Sequence, residues 1–291
     1  MQSRVWRFGA AILPFLLLYI CVVLIPFVGI IQKSFVTSRT IEIELFRPSK
    51  LRSSSFTLSN YIGIFREKYY VQSLSNTLSV ISLSTLITVL IGTIVSYALV
   101  WVNFPGKRLI ERVFSFPLFL SAVVACYGLF ICFSRYGLVA ALSEFLLGKH
   151  VALTRTVYAI VVGTIYILMP MFVQLVKPGF ESVDAGLFEA SFSLGASELY
   201  TFWKVALPIA FPAVIAGTII VFTYAMGLVV VALILGPPSA RFSMLPVEVF
   251  EKARGLDLNI PLASAIGVVL AVVSILGQRV AERILAKVGS K

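Results

Sequence analysis

Long apolar runs alternate with short polar islands along this chain. Six stretches contain no Asp, Glu, Lys or Arg: residues 8–32, 69–106, 113–134, 156–176, 205–240 and 258–278. A helix rises about 1.5 Å per residue and a bilayer's hydrocarbon core is about 30 Å thick, so about 20 such residues cross it. In lipid, only helices or closed barrels satisfy the backbone polar groups. These runs lack the period-two alternation of barrel strands. The pattern predicts an all-α integral membrane protein with six transmembrane helices, near 8–31, 74–101, 113–133, 156–176, 211–235 and 261–281. Arg4 and Arg7 precede the first run, as in a secretory signal. Its apolar part exceeds the roughly 7–15 residues of a signal core, and no small-x-small cleavage site follows, so a retained anchor is expected.

Composition agrees with lipid as the solvent. Apolar residues make up 59% of the chain and charged residues 13%, where a soluble domain carries about 25% charge. The net charge of +11 is scattered through every loop, as membrane topology and anionic headgroups favour. No basic stripe interleaved with aromatics is present, so no nucleic-acid partner is expected. Cys21, Cys126 and Cys132 fall inside expected spans, where cysteine behaves as a small apolar residue, and they have neither metal-ligand nor disulfide spacing. His150 is the single histidine and reads as a plain loop residue. No catalytic residue, metal site or cofactor is expected.

Six spans place both termini on one side. If that side is the cytoplasm, inner segments hold 11 of the 24 Lys and Arg, and outer segments hold 13, seven of them within residues 32–73. Charge in a long external loop weighs less in topology, and without it the count favours the inner side. The orientation rests more on the loop at 177–210 than on charge. In the external loop, residues 38–59 read as an irregular polar segment. Asn60 to Phe65, with Tyr69 and Tyr70, read as a short helix at the membrane interface, where aromatics are enriched.

Residues 177–210 form an amphipathic island between two apolar runs. Pro178 and Gly179 should end the fourth span. Asp184 is placed to cap a short helix over about 185–194, accepting from an otherwise unpaired N–H. Leu187, Phe188, Phe192 and Leu194 supply an apolar face, with Phe188 and Phe192 one turn apart. Gly195 stands where a helix end takes a left-handed residue. Ser197 then caps a second helix carrying Leu199, Tyr200, Phe202, Trp203 and Val205, which Pro208 and Pro212 should break. The expected shape is helix, glycine bend, helix, proline, lying flat beside the membrane. Taken alone, these residues fit either a hairpin packed on its own bundle or a docking element for a soluble partner.

Glu189-Ala190-Ser191, three residues, Gly195, then Val205-Ala206-Leu207-Pro208 resembles the EAA loop of ABC importer permeases, the membrane subunits of binding-protein-dependent uptake systems. Ser191 departs from the second Ala of the family pattern but is still small. The resemblance covers roughly residues 57–281. It implies a type I ABC importer permease (MetI-like) bundle in a bacterial plasma (inner) membrane, with both termini cytoplasmic. It also implies partners: two ABC ATPase subunits, a second permease subunit, identical or homologous, and an extracytoplasmic solute-binding protein. The loop would be a cytoplasmic coupling helix seated in a cleft on the ATPase. In that role Glu189 would fix the bend or pair with a basic group on the ATPase. Ala190 and Ser191 would permit close approach, Gly195 would make the turn, and Leu207 and Pro208 would end the element. Phe188, Phe192 and Phe202 would serve either as apolar knobs or as burial against the protein's own helices.

No G-x-x-x-x-G-K-[ST] phosphate loop occurs, so ATP hydrolysis is expected on a separate subunit. A membrane enzyme lacks the residues for a His-based constellation. An ion-coupled secondary transporter, the alternative reading, usually keeps ionisable residues within its spans, and the six runs contain none. Phe222 to Gly236 is similar to the fifth span of spermidine/putrescine-type permeases, and the region from Asn60-Tyr61 to Asn76-Thr77 fits the same group. A small polar solute of the polyamine-type group is the resulting expectation, with importers of iron, thiamine, phosphonate, opine or sugar as alternatives. Asn76, Thr77, Ser82, Thr85, Thr88 and Gln174 either line the pathway or bond their own or neighbouring helices. The expected division is an N-terminal helix and external loop (1–56), a permease core with five spans and the coupling loop 177–210 (57–281), and a cytoplasmic tail (282–291).

Overall fold

The computed structural model describes residues 2–36, 56–238, 242–254 and 258–289. Most of the expected irregular segment at 38–59 lies outside them. The helices, in chain order, are α1 (Gln2–Ser34), α2 (Ser59–Arg66), α3 (Lys68–Trp101), α4 (Lys107–Ser115), α5 (Ala122–Phe133), α6 (Leu138–Leu147), α7 (Val157–Glu181), α8 (Ala185–Ser193), α9 (Glu198–Thr201), α10 (Leu207–Met226), α11 (Val229–Leu235), α12 (Leu245–Arg254) and α13 (Ile260–Gly289). A 3-10 turn (Phe116–Phe119) follows α4, and a π turn (Phe202–Ala206) joins α9 to α10. The chain is an all-α multi-spanning membrane protein. Among the described residues, five segments are long and apolar enough to cross a membrane: Lys68–Trp101, Ala122–Leu147, Val157–Glu181, Glu198–Met226 and Ile260–Val280. Six were expected. In α1 the apolar segment found among the described residues is Leu18–Ser34.

The residues fall into two compact units, 1–71 with 248–271, and 72–247 with 272–291. In the first unit, the short helix expected at 60–65 is α2, tied to the end of α1, whereas Tyr69 and Tyr70 belong to the start of α3. Helix ends leave carbonyls without intrahelical partners. Asn60 Nδ2 donates to one such oxygen, of Ser34 at 2.9 Å, and to the carbonyl of Val36 just beyond the helix at 3.1 Å. Tyr61 adds a hydroxyl contact to Ser34 at 2.6 Å, and Val36 forms an isolated antiparallel bridge with Phe56.

The second unit is organised around α7. Its Leu168, Phe172 and Val176, at helical spacing, are fully buried. Glycines let neighbouring helices close on them, since association in lipid depends on close packing more than on expulsion of water. A Cβ at position 92 of α3 would lie 2.5 Å from Phe172 Cδ1, and one at position 217 of α10 would lie 3.0 Å from Val176. On α10 and α13, Gln278 Nε2 donates to Thr223 Oγ1 at 2.6 Å.

Absence of charge marks the apolar runs but not helix continuity, and several expected boundaries move. The third span does not run unbroken from 113 to 133. Pro117, which has no N–H to donate, lies in the 3-10 turn, and Ser121 is extended before α5 begins. The fourth span does not stop at Pro178 but continues to Glu181. Packing overrides the local signal there: a Cβ at Gly179 would lie 2.4 Å from Ala213 Cβ, and Phe180 is fully buried. The fifth span is interrupted at Gly227, which separates α10 from α11. Glycine is a poor helix former.

Of the polar residues considered for a pathway, three are engaged within the second unit. Asn76 donates to the Ser243 carbonyl at 3.0 Å. Thr77 Oγ1 accepts from Leu245 N at 2.9 Å and donates to the Ser73 carbonyl. Gln174 donates to Ser115. Thr85 and Thr88 are buried with no hydrogen-bond partner among the described residues, as is Ser84 beside them, while Ser82 is exposed.

Candidate functional site

The island at 177–210 folds as local backbone chemistry directs. Asp184 is extended and accepts from Gly186 N at 2.9 Å, which starts α8. At the other end Gly195 takes φ +80°. There Gly195 N donates to the Phe192 carbonyl at 2.9 Å and Ala196 N to the Ser191 carbonyl at 3.1 Å. This pair of bonds around a left-handed residue is the Schellman arrangement, which satisfies carbonyls that a helix end leaves open. Ser197 accepts from Tyr200 N at 3.3 Å and starts α9, with Glu198 in its first turn, where a carboxylate opposes the positive end of the helix dipole.

The expected break at Pro208 and Pro212 is absent. The helix from Glu198 passes through both prolines and continues as the next span. A proline inside a helix removes one hydrogen bond and its ring crowds the carbonyl four residues earlier. Immediately before Pro208 the chain widens into the π turn, and Leu207 N donates to the Phe202 carbonyl, five residues back. That register shift accommodates the ring. Leu207 and Pro208 therefore do not end the element. The loop's second helix and the membrane span are one rod.

α8 and the start of this rod are seated on an aromatic cluster. Trp101, at the end of α3, stacks on Phe188 with centroids 3.9 Å apart and planes at 19°. Its indole N–H donates to the Phe180 carbonyl at 3.1 Å. Tyr97 meets Phe202 edge-on at 4.8 Å and Phe180 at 5.8 Å. Phe188, Phe202 and Phe180 are buried. Offset and edge-on pairs of this kind are worth about 0.5–1.5 kcal/mol each beyond the area they bury. The apolar face expected from Leu187, Phe188, Phe192 and Leu194 is thus split. Phe188 points inward, whereas Leu187, Phe192 and Leu194 are exposed, Leu194 at 89%.

Ser191 does more than remain small. Its hydroxyl is buried and lies 2.7 Å from Thr201 Oγ1, joining α8 to α9 across the bend. Ser191→Ala is expected to lower subunit stability by about 1–3 kcal/mol, because it leaves a buried hydroxyl unpaired. Ser191→Ala with Thr201→Val removes both hydroxyls and should recover most of the loss in thermal unfolding of the purified chain.

The expected site residues therefore separate into two groups. Phe188, Ser191 and Phe202 face the bundle. Glu189, Ala190, Phe192, Gly195 and Pro208 are exposed, with Leu207 half-buried. Glu189 has no ion-pair partner among the described residues. Exposed Leu199, Tyr200 and Trp203 extend the apolar surface beyond the bend. Trp101, Tyr97, Phe180 and Thr201 were missed in the sequence. The available signal was Trp101 closing a long apolar run; nothing local pairs Thr201 with Ser191.

Residues 88–290 match the family described as binding-protein-dependent transport system inner membrane component. A sulfate transport system permease of Chlorokybus atmophyticus is 34% identical over 176 residues, covering 60% of this chain and 60% of that protein. The spermidine/putrescine transport system permease PotB of Haemophilus influenzae is 26% identical over 252 residues, covering 86% and 84%. The chain thus spans about three fifths of the first relative and most of the second. Among solved structures, a chain of a bacterial ABC transporter that imports the polysaccharide alginate superposes with TM-score 0.78 at 16% identity, covering 98% of this chain and 96% of that one. A chain of the MetNI methionine ABC transporter in an inward-facing conformation superposes at 0.57, with 76% and 96% covered. At these identities the likeness is one of fold.

Proposed function

The chain belongs to the family of binding-protein-dependent transport system inner membrane components, and we propose that it forms half of the solute pathway of an ATP-driven importer and takes its driving force through the loop at 184–206. It is a transport permease subunit, not a catalytic enzyme. The proposed assembly has two ATPase subunits, a second permease, identical or homologous, and an extracytoplasmic solute-binding protein. It sits in a bacterial inner membrane with both termini cytoplasmic. α1 supplies a sixth crossing, residues 57–281 form the permease core, and 282–291 form the tail.

The observation that carries this reading is the split of the loop into an inner and an outer face. Glu189, Phe192 and the Gly195 bend face outward and form the contact with the ATPase. Phe188 faces inward onto the end of α3, and Phe202, in the rod continuous with a membrane span, faces the ends of α3 and α7. A displacement of α8 by ATPase closure therefore moves the ends of three long helices together. In energetic terms, nucleotide state biases a two-state bundle through a contact that differs between the states. Glu189→Lys is expected to weaken capture of the ATPase in a pull-down from detergent without altering the amount of subunit in the membrane. Equal recovery would remove Glu189 from the contact.

The solute is a small polar molecule, in the first reading a polyamine. The spermidine/putrescine relative aligns over most of both chains, and the fifth-span segment from Phe222 to Gly236 resembles that group. A second reading, sulfate, has the higher identity over the shorter stretch in its favour. Cells carrying this chain with its ATPase, second permease and binding protein should take up labelled spermidine and lose that uptake on deletion of the chain. Loss of sulfate uptake instead would transfer the assignment.

A further inference from the structure

α4 presents its faces in the reverse of the usual order. Around the helix, Arg108, Glu111, Arg112 and Ser115 fall on one side, and Leu109, Ile110 and Val113 on the other. A surface helix of a globular protein buries its apolar stripe and wets the polar one. Here two residues of the polar side are turned to the protein: Glu111 is ion-paired with Lys177 of α7, and Gln174 Nε2 donates to Ser115 Oγ at 2.9 Å. The apolar side faces out, with Leu109 and Val113 each 66% exposed and Ile110 51%. Exposed apolar side chains continue past it through Phe116 and Phe119 into the span that follows. Arg108 and Arg112, one turn apart, are exposed and have no acidic partner among the described residues.

We propose that α4 is a lipid anchor. Its apolar side enters the acyl boundary of the bilayer, Arg108 and Arg112 engage the phosphates of anionic phospholipid, and Glu111 and Ser115 hold the end of α7. An amphipathic helix beside a membrane gains from apolar burial and from attraction to anionic lipid together. Continuity with the exposed surface of the following span favours lipid as the occupant. So do the two exposed cations, whose charge complements the phosphates of anionic lipid at the membrane surface. Placement in the inner leaflet rests on the orientation proposed above; contact with lipid does not. Because α7 leads directly into α8, the anchor steadies the segment on which the loop is seated.

The test uses the full chain with Cys21, Cys126 and Cys132 replaced by alanine, a nitroxide at Val113→Cys, and nanodiscs of phosphatidylcholine with or without phosphatidylglycerol. The label should collide readily with oxygen and poorly with a water-soluble nickel chelate. Ready collision with the chelate would place α4 in water, and poor collision with both would place a second protein subunit on this face; either overturns the proposal. In mixed discs the chain should retain phosphatidylglycerol, counted by native mass spectrometry. Arg108→Gln with Arg112→Gln should weaken the affinity behind that retention roughly thirtyfold while leaving the collision pattern unchanged. Equal retention would contradict recognition of the charge. If labelling showed the 184–206 loop on the outer face, the coupling reading would fail while lipid contact at Val113 could still stand, so the two are separable.

Discussion

Replacing Gly195 by valine is expected to leave the subunit in the membrane but to cut coupled uptake about tenfold or more, within the range that a lost coupling contact produces. The obstacle is conformational. Gly195 has φ +80°, and no heavy atom of the described residues lies within 4 Å of the position a Cβ would take. The left-handed region costs an L-residue roughly 1–2 kcal/mol, and a β-branched side chain resists it further. The chain relieves that strain by giving up the two bonds that close α8, from Gly195 N and Ala196 N. α8 then loses its fixed angle to α9 and no longer transmits its displacement. Gly195→Asn is the control, since asparagine enters this region far more readily, and it should keep most of the uptake. In proteoliposomes with the partner subunits, Gly195→Val should show ATP hydrolysis without matching solute entry. Unaltered uptake would rule out a coupling role for the bend.

Phe202→Ala and Phe192→Ala, equal in chemistry, should act on different properties. Phe202 is 7% exposed and packs against Tyr97 and Phe180. Its truncation should lower stability by roughly 3–5 kcal/mol, seen as a lower midpoint in thermal unfolding of the purified subunit. Phe192 is 45% exposed, so its truncation should change stability by no more than about 0.5 kcal/mol and instead weaken capture of the ATPase. The contrast tests the division of the loop into a seat and a contact surface. A stability loss at Phe192 as large as that at Phe202, or undiminished capture by Phe192→Ala, would erase that division.

The parts of this loop governed by neighbouring residues were legible in the sequence. Asp184, Gly195 and Ser197 act through their own backbone or one a few residues away, and their types announce it. The resemblance carried by Glu189, Ala190, Gly195 and Leu207-Pro208 pointed to the family that the matching of residues 88–290 establishes. What was not legible depends on distant partners. Pro178 reads as a helix end, yet packing of Gly179 on Ala213 carries the helix through. Pro208 reads as a break, yet a π turn upstream absorbs it. The inward direction of Phe188 is set by Trp101, far away in sequence, and the partner of Ser191 by the fold of the bend. α4 shows the same limit in another form. The uncharged run from 113 reads as the start of a span, so this helix over 107–115 was not recognised, and which of its faces meets the protein is decided by Gln174 and Lys177 on α7.

A cysteine at Ser193, an exposed position at the end of α8, offers the most direct measurement, in a background without the three native cysteines. An impermeant maleimide should label it in inside-out vesicles and not in intact cells, and addition of the ATPase subunit should protect it. Labelling in intact cells, or full reactivity with the ATPase bound, would contradict a cytoplasmic loop that receives the force of the motor.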